Sequence, residues 1–250
     1  MEIALTGVLG AVAGSFLNVV SFRLPRHESL VRPASRCPSC GAHVRPYDNI
    51  PVLSWLLLRG RCRSCRAPIS PRYPFIEALT AALCIAVVLV HSSAVAIALG
   101  VGLILIVVPA AAIDLSDLII PNPIVAAGAA LAIALGTALD PSGEPERLIA
   151  GLAAGAALLL IVLAYPRGMG MGDVKLAAVM GLFLGVTVIP AILIAVIAGS
   201  LVGALVMARK GVHAGRKTAL PFGVFLALGA IVAIFAGHPL IHWYSTHFLH

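Results

Sequence analysis

The chain alternates between long apolar runs and short polar connections, and the runs have the length that crosses a lipid bilayer. About 20 apolar residues in a helix span the roughly 30 Å hydrocarbon core. Single runs of this kind occur at 2–22, 75–91, 94–113, 119–139, 148–165 and 220–241. The apolar stretch between Lys175 and Arg209 is too long for one ordinary span, and Gly185 and Pro190 near its middle predict a turn between two short helices. The pattern predicts an all-α polytopic membrane protein with about eight transmembrane helices.

Composition agrees with this pattern and excludes a soluble domain. Hydrophobic residues make up 60% of the 250 residues and charged residues only 11%, with a mean hydropathy of +1.06. The lipid bilayer is therefore one expected partner. The net charge of +7 does not indicate nucleic acid, because ten of the 17 Lys and Arg residues lie in one polar segment between Arg23 and Arg72.

The basic residues predict an orientation in the cell membrane. With the N-terminus outside, 16 of the 17 Lys and Arg residues lie on the cytoplasmic side and only Arg147 lies outside. A single long helix at 175–209 would instead carry the Arg209–Lys217 cluster to the outer face, against the positive-inside rule. Residues 1–22 lack a basic start and are followed by arginines, so we interpret them as a retained first span rather than a secretory signal.

Two aspartates, Asp114 and Asp173, stand at the edges of apolar runs. A carboxylate in such a place is expensive, roughly 2.5–3.5 kcal/mol at a helix centre, so a functional role is the first hypothesis. The orientation places both at cytoplasmic helix ends, and two carboxylates that share a proton can activate water. We therefore predict a catalytic pair. Asp117 lies three residues further on the same helical face and is an alternative to Asp114.

The glycine run before Asp173 reads Gly168-Met-Gly170-Met-Gly172. Its spacing is not that of a dinucleotide-binding loop and no strand precedes it, which argues against phosphate binding. The glycines would let a substrate backbone approach Asp173 closely. Lys175 has two interpretations, an ion pair with Asp173 or anchoring at the membrane interface, and the second is favoured.

The sequence assigns no specific role to several other polar residues. Asn18 and Glu77 lie near or inside spans, and they either hydrogen-bond between helices or line the functional site. The histidines show no ligand spacing, including the four near the C-terminus: His238, His242, His247 and His250.

Four cysteines form two CxxC pairs, Cys37-Pro-Ser-Cys40 and Cys62-Arg-Ser-Cys65, with 21 residues between them. Two such pairs present four thiolates to one tetrahedral zinc ion, which would be structural because the coordination shell is closed. Disulfides and a thioredoxin-like redox role are the alternatives, and the reducing cytoplasmic side and the lack of a βαβ pattern disfavour them. Cys84 lies within a span and is assigned to the core.

This cysteine segment divides the chain into three predicted parts. Residues 1–22 are the first transmembrane helix, 23–74 a small zinc-stapled cytoplasmic loop domain between helices 1 and 2, and 75–250 a seven-helix membrane domain. A loop of about fifty residues with little apolar content needs such a metal for its stability.

The ordered motifs resemble those of bifunctional type IV prepilin peptidases, membrane enzymes that process pilin and pseudopilin precursors. The resemblance rests on these elements: Gly14–Val19, the CxxC pairs, Asp48–Trp55, Arg59–Cys62, Ala67–Pro74, Glu77, Ile113-Asp114 with Pro121, the GxGD element Gly170–Asp173 with Lys175, and Pro221-Phe222-Gly223.

The resemblance implies an aspartic protease of the GxGD type in the inner membrane, with Asp114 and Asp173 as catalytic residues. It implies removal of the leader on the cytoplasmic side, followed by methylation of the new N-terminal residue with S-adenosylmethionine. That second activity is associated with the cysteine segment. One departure is Asn122, where the family commonly has an Asp.

Two other function classes fit parts of the pattern. A proton- or ion-coupled transporter would use Asp114 and Asp173 as relay carboxylates, but such carriers usually show inverted repeats and midplane sites, and neither sign is visible. A zinc-stapled assembly protein without catalysis would leave both aspartates unexplained.

Overall fold

A computed structural model describes residues 2–165, 169–211 and 219–248 of the chain. Over these residues every regular element is a helix, and two isolated bridges in the polar segment are the only β-type pairings. This confirms the all-α fold class. The chain divides into two compact units, Met1–Leu89 and Val90–His250. The finer division at residues 22 and 74 stays a prediction.

Nine α-helices build the described part of the chain. The N-terminal unit contains α1 (Glu2–Arg23), α2 (Leu53–Leu57) and α3 (Arg72–Val90), the last ending at the unit boundary. The C-terminal unit contains α4 (Ala94–Asp117), α5 (Asn122–Leu139), α6 (Glu144–Ala164), α7 (Met171–Leu184), α8 (Val188–Lys210) and α9 (Phe222–Phe248). Short 3-10 turns lie at Leu24–Arg26, Pro46–Asn49 and Gly185–Thr187.

Seven stretches of the described residues are long and apolar enough to cross a membrane. Six of them are single helices that overlap the predicted single runs, and α9 continues beyond the predicted end at residue 241. The seventh stretch, Met171–Lys210, has 40 residues. As one straight helix it would reach about 60 Å, twice the hydrocarbon thickness.

That long stretch is two helices, as predicted. Helix α7 stops at Leu184 because Gly185 adopts a left-handed backbone with φ +57°. Helix α8 then runs antiparallel to α9: a Cβ on Gly237 would lie 2.7 Å from Thr187, at one end, and a Cβ on Gly203 would lie 3.6 Å from Leu220, at the other. The chain therefore turns back at Gly185.

Small residues allow the helices of each unit to pack closely, as the Gly and Ala content predicts. In the N-terminal unit, a Cβ on Gly14 of α1 would lie only 2.8 Å from the Cα of Glu77 in α3. In the C-terminal unit, a Cβ on Gly181 of α7 would lie 2.7 Å from the carbonyl oxygen of Ala150 in α6. Bulky side chains at such positions would separate the helices.

Helix α4 forms the core of the C-terminal unit. Its side chains Leu103, Ile104, Val107 and Ile113 are fully buried. The helix extends one turn beyond its predicted end at residue 113, to Asp117. Asp114 therefore lies inside the last turn of a buried helix and not in the loop after it.

An ion-pair cluster around Arg147 joins two turns of the C-terminal unit. The Arg147 guanidinium donates to Asp140 Oδ2 at 2.7 Å and to Glu144 Oε2 at 3.0 Å. Nearby, Glu146 accepts a hydrogen bond from the N–H of Val186, in the turn between α7 and α8. The hydrogen bond from Arg147 is the main cause of the lowered pKa of Asp140.

We expect Arg147→Ala to destabilise the protein by on the order of 2 kcal/mol, between the values for exposed and for fully buried pairs. The reason is that Arg147 and Glu144 are 7% and 8% exposed, so Glu144 would lose its buried partner. Thermal unfolding in detergent measures the effect, with the exposed Arg209→Ala as the matched control.

The Arg147–Asp140 ion pair of this cluster makes the stability depend on pH. Because the folded-state pKa of Asp140 is lowered, its stabilising contribution is present above the ordinary Asp value near 3.9 and is lost as the pH falls through the lowered value. Equal unfolding temperatures for Arg147→Ala and Arg209→Ala at neutral pH would contradict the role assigned to the cluster.

Candidate active site

Asp114 is buried at the end of α4 and is held by the start of α9. Its side chain is 5% exposed, and Oδ2 accepts a hydrogen bond from the N–H of Gly223 at 2.7 Å. The N–H of Val224 also interacts with this carboxyl group. These N–H groups belong to the first turn of a helix, where they have no partner within the helix and favour an anion.

Asp173 is the third residue of α7 and is 7% exposed. Its Oδ2 accepts a hydrogen bond from the N–H of Gly170, the residue that precedes the helix, at 3.1 Å. A carboxylate at this position satisfies a donor of the first helical turn. The GxGD element is thus the start of a helix whose third residue carries the carboxylate.

Ile120 lies between the segment that carries Asp114 and the segment that carries Asp173. A Cβ on Gly172 would lie 2.9 Å from Ile120 Cβ, and a Cβ on Gly223 would lie 3.0 Å from Ile120 Cδ1 and 2.9 Å from Asp114 Oδ2. The glycines therefore let the starts of α7 and α9 close on the same side chain. Asp114 and Asp173 are near enough for their charges to interact, although 59 residues separate them.

Asp117, the sequence alternative to Asp114, lies outside this arrangement. It is exposed, and Oδ2 accepts a hydrogen bond from the hydroxyl of the neighbouring Ser116 at 2.7 Å. The structure brings Asp114, and not Asp117, to Asp173. Gly168 of the glycine run lies outside the described residues, as do Arg167, Arg216 and Lys217 of the charge count.

Lys175 takes a partner that the sequence interpretation did not include. Its ammonium donates to Asn122 Oδ1 at 2.8 Å. Asn122 is the first residue of α5, two residues beyond Ile120. The bond therefore joins the first turn of α7 to the connection that carries Ile120. Asn122 is also the position where the resemblance expects an Asp, so here the Lys175 ammonium donates to a neutral amide rather than forming an ion pair.

The four cysteines of the N-terminal unit form one cluster. The sulfur atoms of Cys37, Cys40, Cys62 and Cys65 all lie within 4.8 Å of one another, and the Cys37 and Cys65 sulfurs are 3.8 Å apart. A tetrahedral zinc–thiolate site with bonds of 2.3 Å has sulfur–sulfur edges of about 3.8 Å. The cluster therefore has the size to hold a metal ion, as its spacing predicts.

Both CxxC pairs fold into the same turn. The N–H of Cys37 donates to the carbonyl of Ala42 at 2.9 Å, and that of Cys62 donates to the carbonyl of Ala67 at 2.8 Å. The residue after each second cysteine has a positive φ, +70° at Gly41 and +62° at Arg66. Glycine fits this conformation without strain, which explains Gly41 but not Arg66.

The cysteine pKa values show why a cation suits the cluster. Hydrogen bonds from the N–H groups of Cys40 and Ser39 lower the pKa of Cys37 to about 6. The N–H of Ala67 lowers the pKa of Cys65, but hydrogen bonding with Cys40, desolvation, and hydrogen bonding with Cys62 and Cys37 together raise it to about 11. Four thiolates at this distance repel one another, and a bound cation offsets that repulsion.

The loop around the cysteines has its own supports. Asp48 accepts hydrogen bonds from the Arg63 guanidinium, at 2.8 Å for the shorter bond from Nε, and these hydrogen bonds lower the pKa of Asp48. The indole N–H of Trp55 donates to the carbonyl of Ile69 at 3.0 Å, and a Cβ on Gly60 would lie 2.9 Å from the Trp55 ring. The Asp48 and Trp55 contacts join residues before the second CxxC pair to residues within and after it.

Asn18 and Glu77 have different roles. The Asn18 amide donates to the carbonyl of Tyr73 at 3.0 Å, joining α1 to α3. Glu77 accepts a hydrogen bond from the N–H of Val52 at 2.7 Å, in the loop before α2. Of these two residues, only Asn18 forms the hydrogen bond between transmembrane helices that was one of the two roles considered for them.

The histidines form no metal cluster within the described ranges. His238 lines a cavity of about 480 Å³ beside Arg147, together with His91. His250 lies outside the described residues.

Comparison with known proteins identifies two matching families. The family described as "Bacterial Peptidase A24 N-terminal domain" matches residues 8–91, and the "Type IV leader peptidase family" matches residues 101–208. The first match covers the cysteine cluster and Glu77. The second covers Asp114 and Asp173.

Curated relatives named "Prepilin leader peptidase/N-methyltransferase" are similar over most of the chain. The Burkholderia pseudomallei (strain 1026b) protein is 34% identical over 96% of this chain and 87% of its own length. The Aeromonas hydrophila protein is 32% identical over 98% and 94%, and the Myxococcus xanthus protein is 38% identical over 84% and 64%. No solved structure matches significantly.

The two glycines of the GxGD element should differ in their tolerance of a methyl group. Gly172→Ala would force a Cβ to 2.9 Å from Ile120, whereas Gly170→Ala would leave an ordinary 3.5 Å contact with Asp173 Oδ2. We expect Gly172→Ala to lose about 1–3 kcal/mol of stability through overpacking and Gly170→Ala to change it little. Thermal unfolding of the two variants measures the difference, and equal stability would contradict the close approach at Ile120.

Proposed function

The chain belongs to the type IV leader peptidase family, and we propose that it cleaves the leader from type IV prepilins or pseudopilins with Asp114 and Asp173 and then methylates the new N-terminus. The observation that carries the proposal is the pair itself. Two buried carboxylates from distant parts of the sequence, one in the last turn of α4 beside the start of α9 and one in the first turn of α7, are near enough for their charges to interact. Ionisable residues are costly in a membrane helix bundle, so a functional role is the first hypothesis for such a pair.

The two carboxylates have unequal surroundings, which supports different roles. Asp114 accepts from Gly223 and interacts with the N–H of Val224, whereas Asp173 accepts only from Gly170 among the residues that the structure describes. Hydrogen bonds to a carboxylate favour its charged form. We assign Asp114 as the ionised base that takes a proton from water, and Asp173 as the protonated partner that hydrogen-bonds the scissile carbonyl.

The substrate is a precursor with a basic leader and an apolar helix. We propose that the site faces the cytoplasm in the inner membrane, because that orientation puts 16 of the 17 Lys and Arg residues inside. The leader then stays in the cytoplasm while the helix remains in the bilayer. Asp114 and Asp173 lie at helix ends, which suits a bond at that boundary.

The second step is transfer of a methyl group to the new N-terminal amine, the activity that the relatives' names include. We propose S-adenosylmethionine as the donor, because its sulfonium carries a methyl group that an amine can accept directly. We assign no residue of this chain to the donor.

Zinc is the metal that we propose for the cysteine cluster. The 3.8 Å separation of the Cys37 and Cys65 sulfurs and the all-thiolate donor set fit a tetrahedral zinc ion. Cys37, Cys40, Cys62 and Cys65 would hold it as a closed structural site. Its contribution would be to order the loop between α1 and α3, and not to activate water.

The transporter alternative receives no support. The matching family and the curated relatives reported above carry peptidase names, and the carboxylates lie in the last turn of α4 and the first turn of α7. Transporter sites typically lie near the midplane of the bilayer, on broken helices.

Replacement of either aspartate tests the proteolytic pair. Asp114→Asn and Asp173→Asn should each abolish leader cleavage, and the double variant should be no worse than either single variant, because one missing carboxylate already removes the base–acid couple. Cleavage of a purified prepilin by purified variants, followed by mass spectrometry, measures this.

Asp117→Asn is the matched control, since Asp117 lies three residues from Asp114 but is exposed. It should retain most of the cleavage activity. An inactive Asp117→Asn beside an active Asp114→Asn would overturn the assignment.

Removal of the metal tests the division between the two activities. Wild-type protein should contain about one zinc per chain by elemental mass spectrometry, and replacement of Cys37 and Cys40 by Ser should release it. We expect methylation to fall more than cleavage, because the aspartates belong to helices of the other compact unit. Cys84→Ser, which changes the buried cysteine outside the cluster, is the control. Equal loss of both activities would refute this division of labour.

A further inference from the structure

Glu77 is a buried carboxylate that the proteolytic pair does not use. It lies in the second turn of α3 and is 8% exposed. Its Oε2 accepts the hydrogen bond from Val52 at 2.7 Å. Within the described ranges no hydrogen bond holds Oε1, and no Lys or Arg forms an ion pair with this residue. One oxygen of the carboxylate is therefore fixed while the other is left for a ligand.

The bond to Val52 holds an unusual piece of backbone. Val52 has φ +62° and ψ −51°, and the N–H of Leu53 donates to the carbonyl of Pro51 at 2.6 Å. This is a γ-turn of the rare positive-φ kind, which is strained for a β-branched residue by on the order of 1–3 kcal/mol. A neutral acceptor would support such a turn as well as a carboxylate does, so the turn alone does not explain the charge.

The face of α1 that packs on α3 carries two further polar residues, Asn18 and Ser21. Gly14 of α1 packs directly on the Glu77 backbone. Asn18 and Ser21 follow Gly14 at intervals of four and three residues, so the three share one face of α1. Asn18 is bonded to Tyr73, whereas the Ser21 hydroxyl is buried without a partner in the part of the chain that the structure describes, and Ser21 is 5% exposed.

We propose that Glu77 binds the ammonium group of the N-terminus released by leader cleavage and accepts the proton that this amine must lose before methylation. The proposal deepens the proposed function and rests on its methyl-transfer step. A primary ammonium group offers three N–H donors and a positive charge, which fits an unpaired carboxylate with one free oxygen. A divalent cation would need several more oxygen ligands than one Glu provides.

The chemistry balances without any further reactant. The ammonium group gives one proton to Glu77 and becomes a neutral amine. The nitrogen lone pair then forms a bond to the methyl carbon of a sulfonium donor, while the carbon–sulfur bond breaks and its electron pair stays on sulfur as a thioether. The product is a methylated ammonium group, and the proton on Glu77 returns to solvent.

Glu77→Gln is the direct test, because glutamine keeps the size and the oxygen that accepts from Val52 but removes the charge. In purified full-length protein we expect at least a 10-fold loss of methyl transfer, the order expected for a lost charged hydrogen bond. Leader cleavage and zinc content should stay unchanged. Glu28→Gln, at an exposed carboxylate of the same unit, should leave all three measurements unchanged.

A second variant separates charge from support of the turn. Val52→Gly accepts a positive φ without strain. If Glu77 only stabilises the turn, Val52→Gly will restore methyl transfer to Glu77→Gln. We expect no restoration, because glycine does not replace the lost charge. Restoration, or a Glu77→Gln protein that methylates as well as wild type, would overturn the proposal.

Binding without a methyl donor provides a readout besides activity. The probe is a synthetic peptide that forms an apolar helix, with either a free or an acetylated N-terminus. Wild type should bind the free amine about 10-fold more tightly, and Glu77→Gln should bind both equally. A wild type without this preference would refute the amine site. A wild type that has the preference but transfers no methyl group would instead refute the methylation in the proposed function.

Discussion

Three buried carboxylates, Asp114, Asp173 and Glu77, are held by backbone N–H groups, whereas the buried Glu144 pairs with Arg147. Asp114 accepts from Gly223, Asp173 from Gly170 and Glu77 from Val52. A carboxylate taken out of water needs such compensation, because the desolvation penalty is several kcal/mol. A Lys or Arg partner would satisfy each group but would also fix its charge. Backbone donors compensate part of the desolvation without placing a full positive charge beside the carboxylate.

This way of holding a carboxylate limits which residues can surround it. The donor for Asp114 is in the first turn of α9, and a side chain at Gly223 would occupy the space of the carboxylate and of Ile120. Gly172 meets Ile120 in the same way from α7. Ile120 is therefore the contact through which two helix starts and the end of α4 are fixed, and the Lys175–Asn122 bond lies directly beside it.

Local patterns were sufficient to predict the helices but not the donors to the carboxylates. Apolar run lengths predicted the spans, Gly185 predicted the break between α7 and α8, and the CxxC spacing predicted the sulfur cluster, because each depends on nearby residues. The Gly223–Asp114 bond joins residues 109 positions apart and has no local signal beyond the motif that contains Gly223. The backbone conformation of Val52 was not predictable, since a positive φ is unfavourable for a β-branched residue.

The two proposed reactions need different numbers of carboxylates, two for peptide hydrolysis and one for methyl transfer. Peptide hydrolysis needs a base for water and an acid for the carbonyl oxygen at the same moment, so two carboxylates must interact, as Asp114 and Asp173 do. Methyl transfer to an amine needs only one proton acceptor, because the leaving thioether takes no proton. Glu77 stands without a second carboxylate in contact among the described residues, and a second negative charge there would hold the ammonium in its unreactive form. A single carboxylate with one free oxygen therefore suits amine methylation.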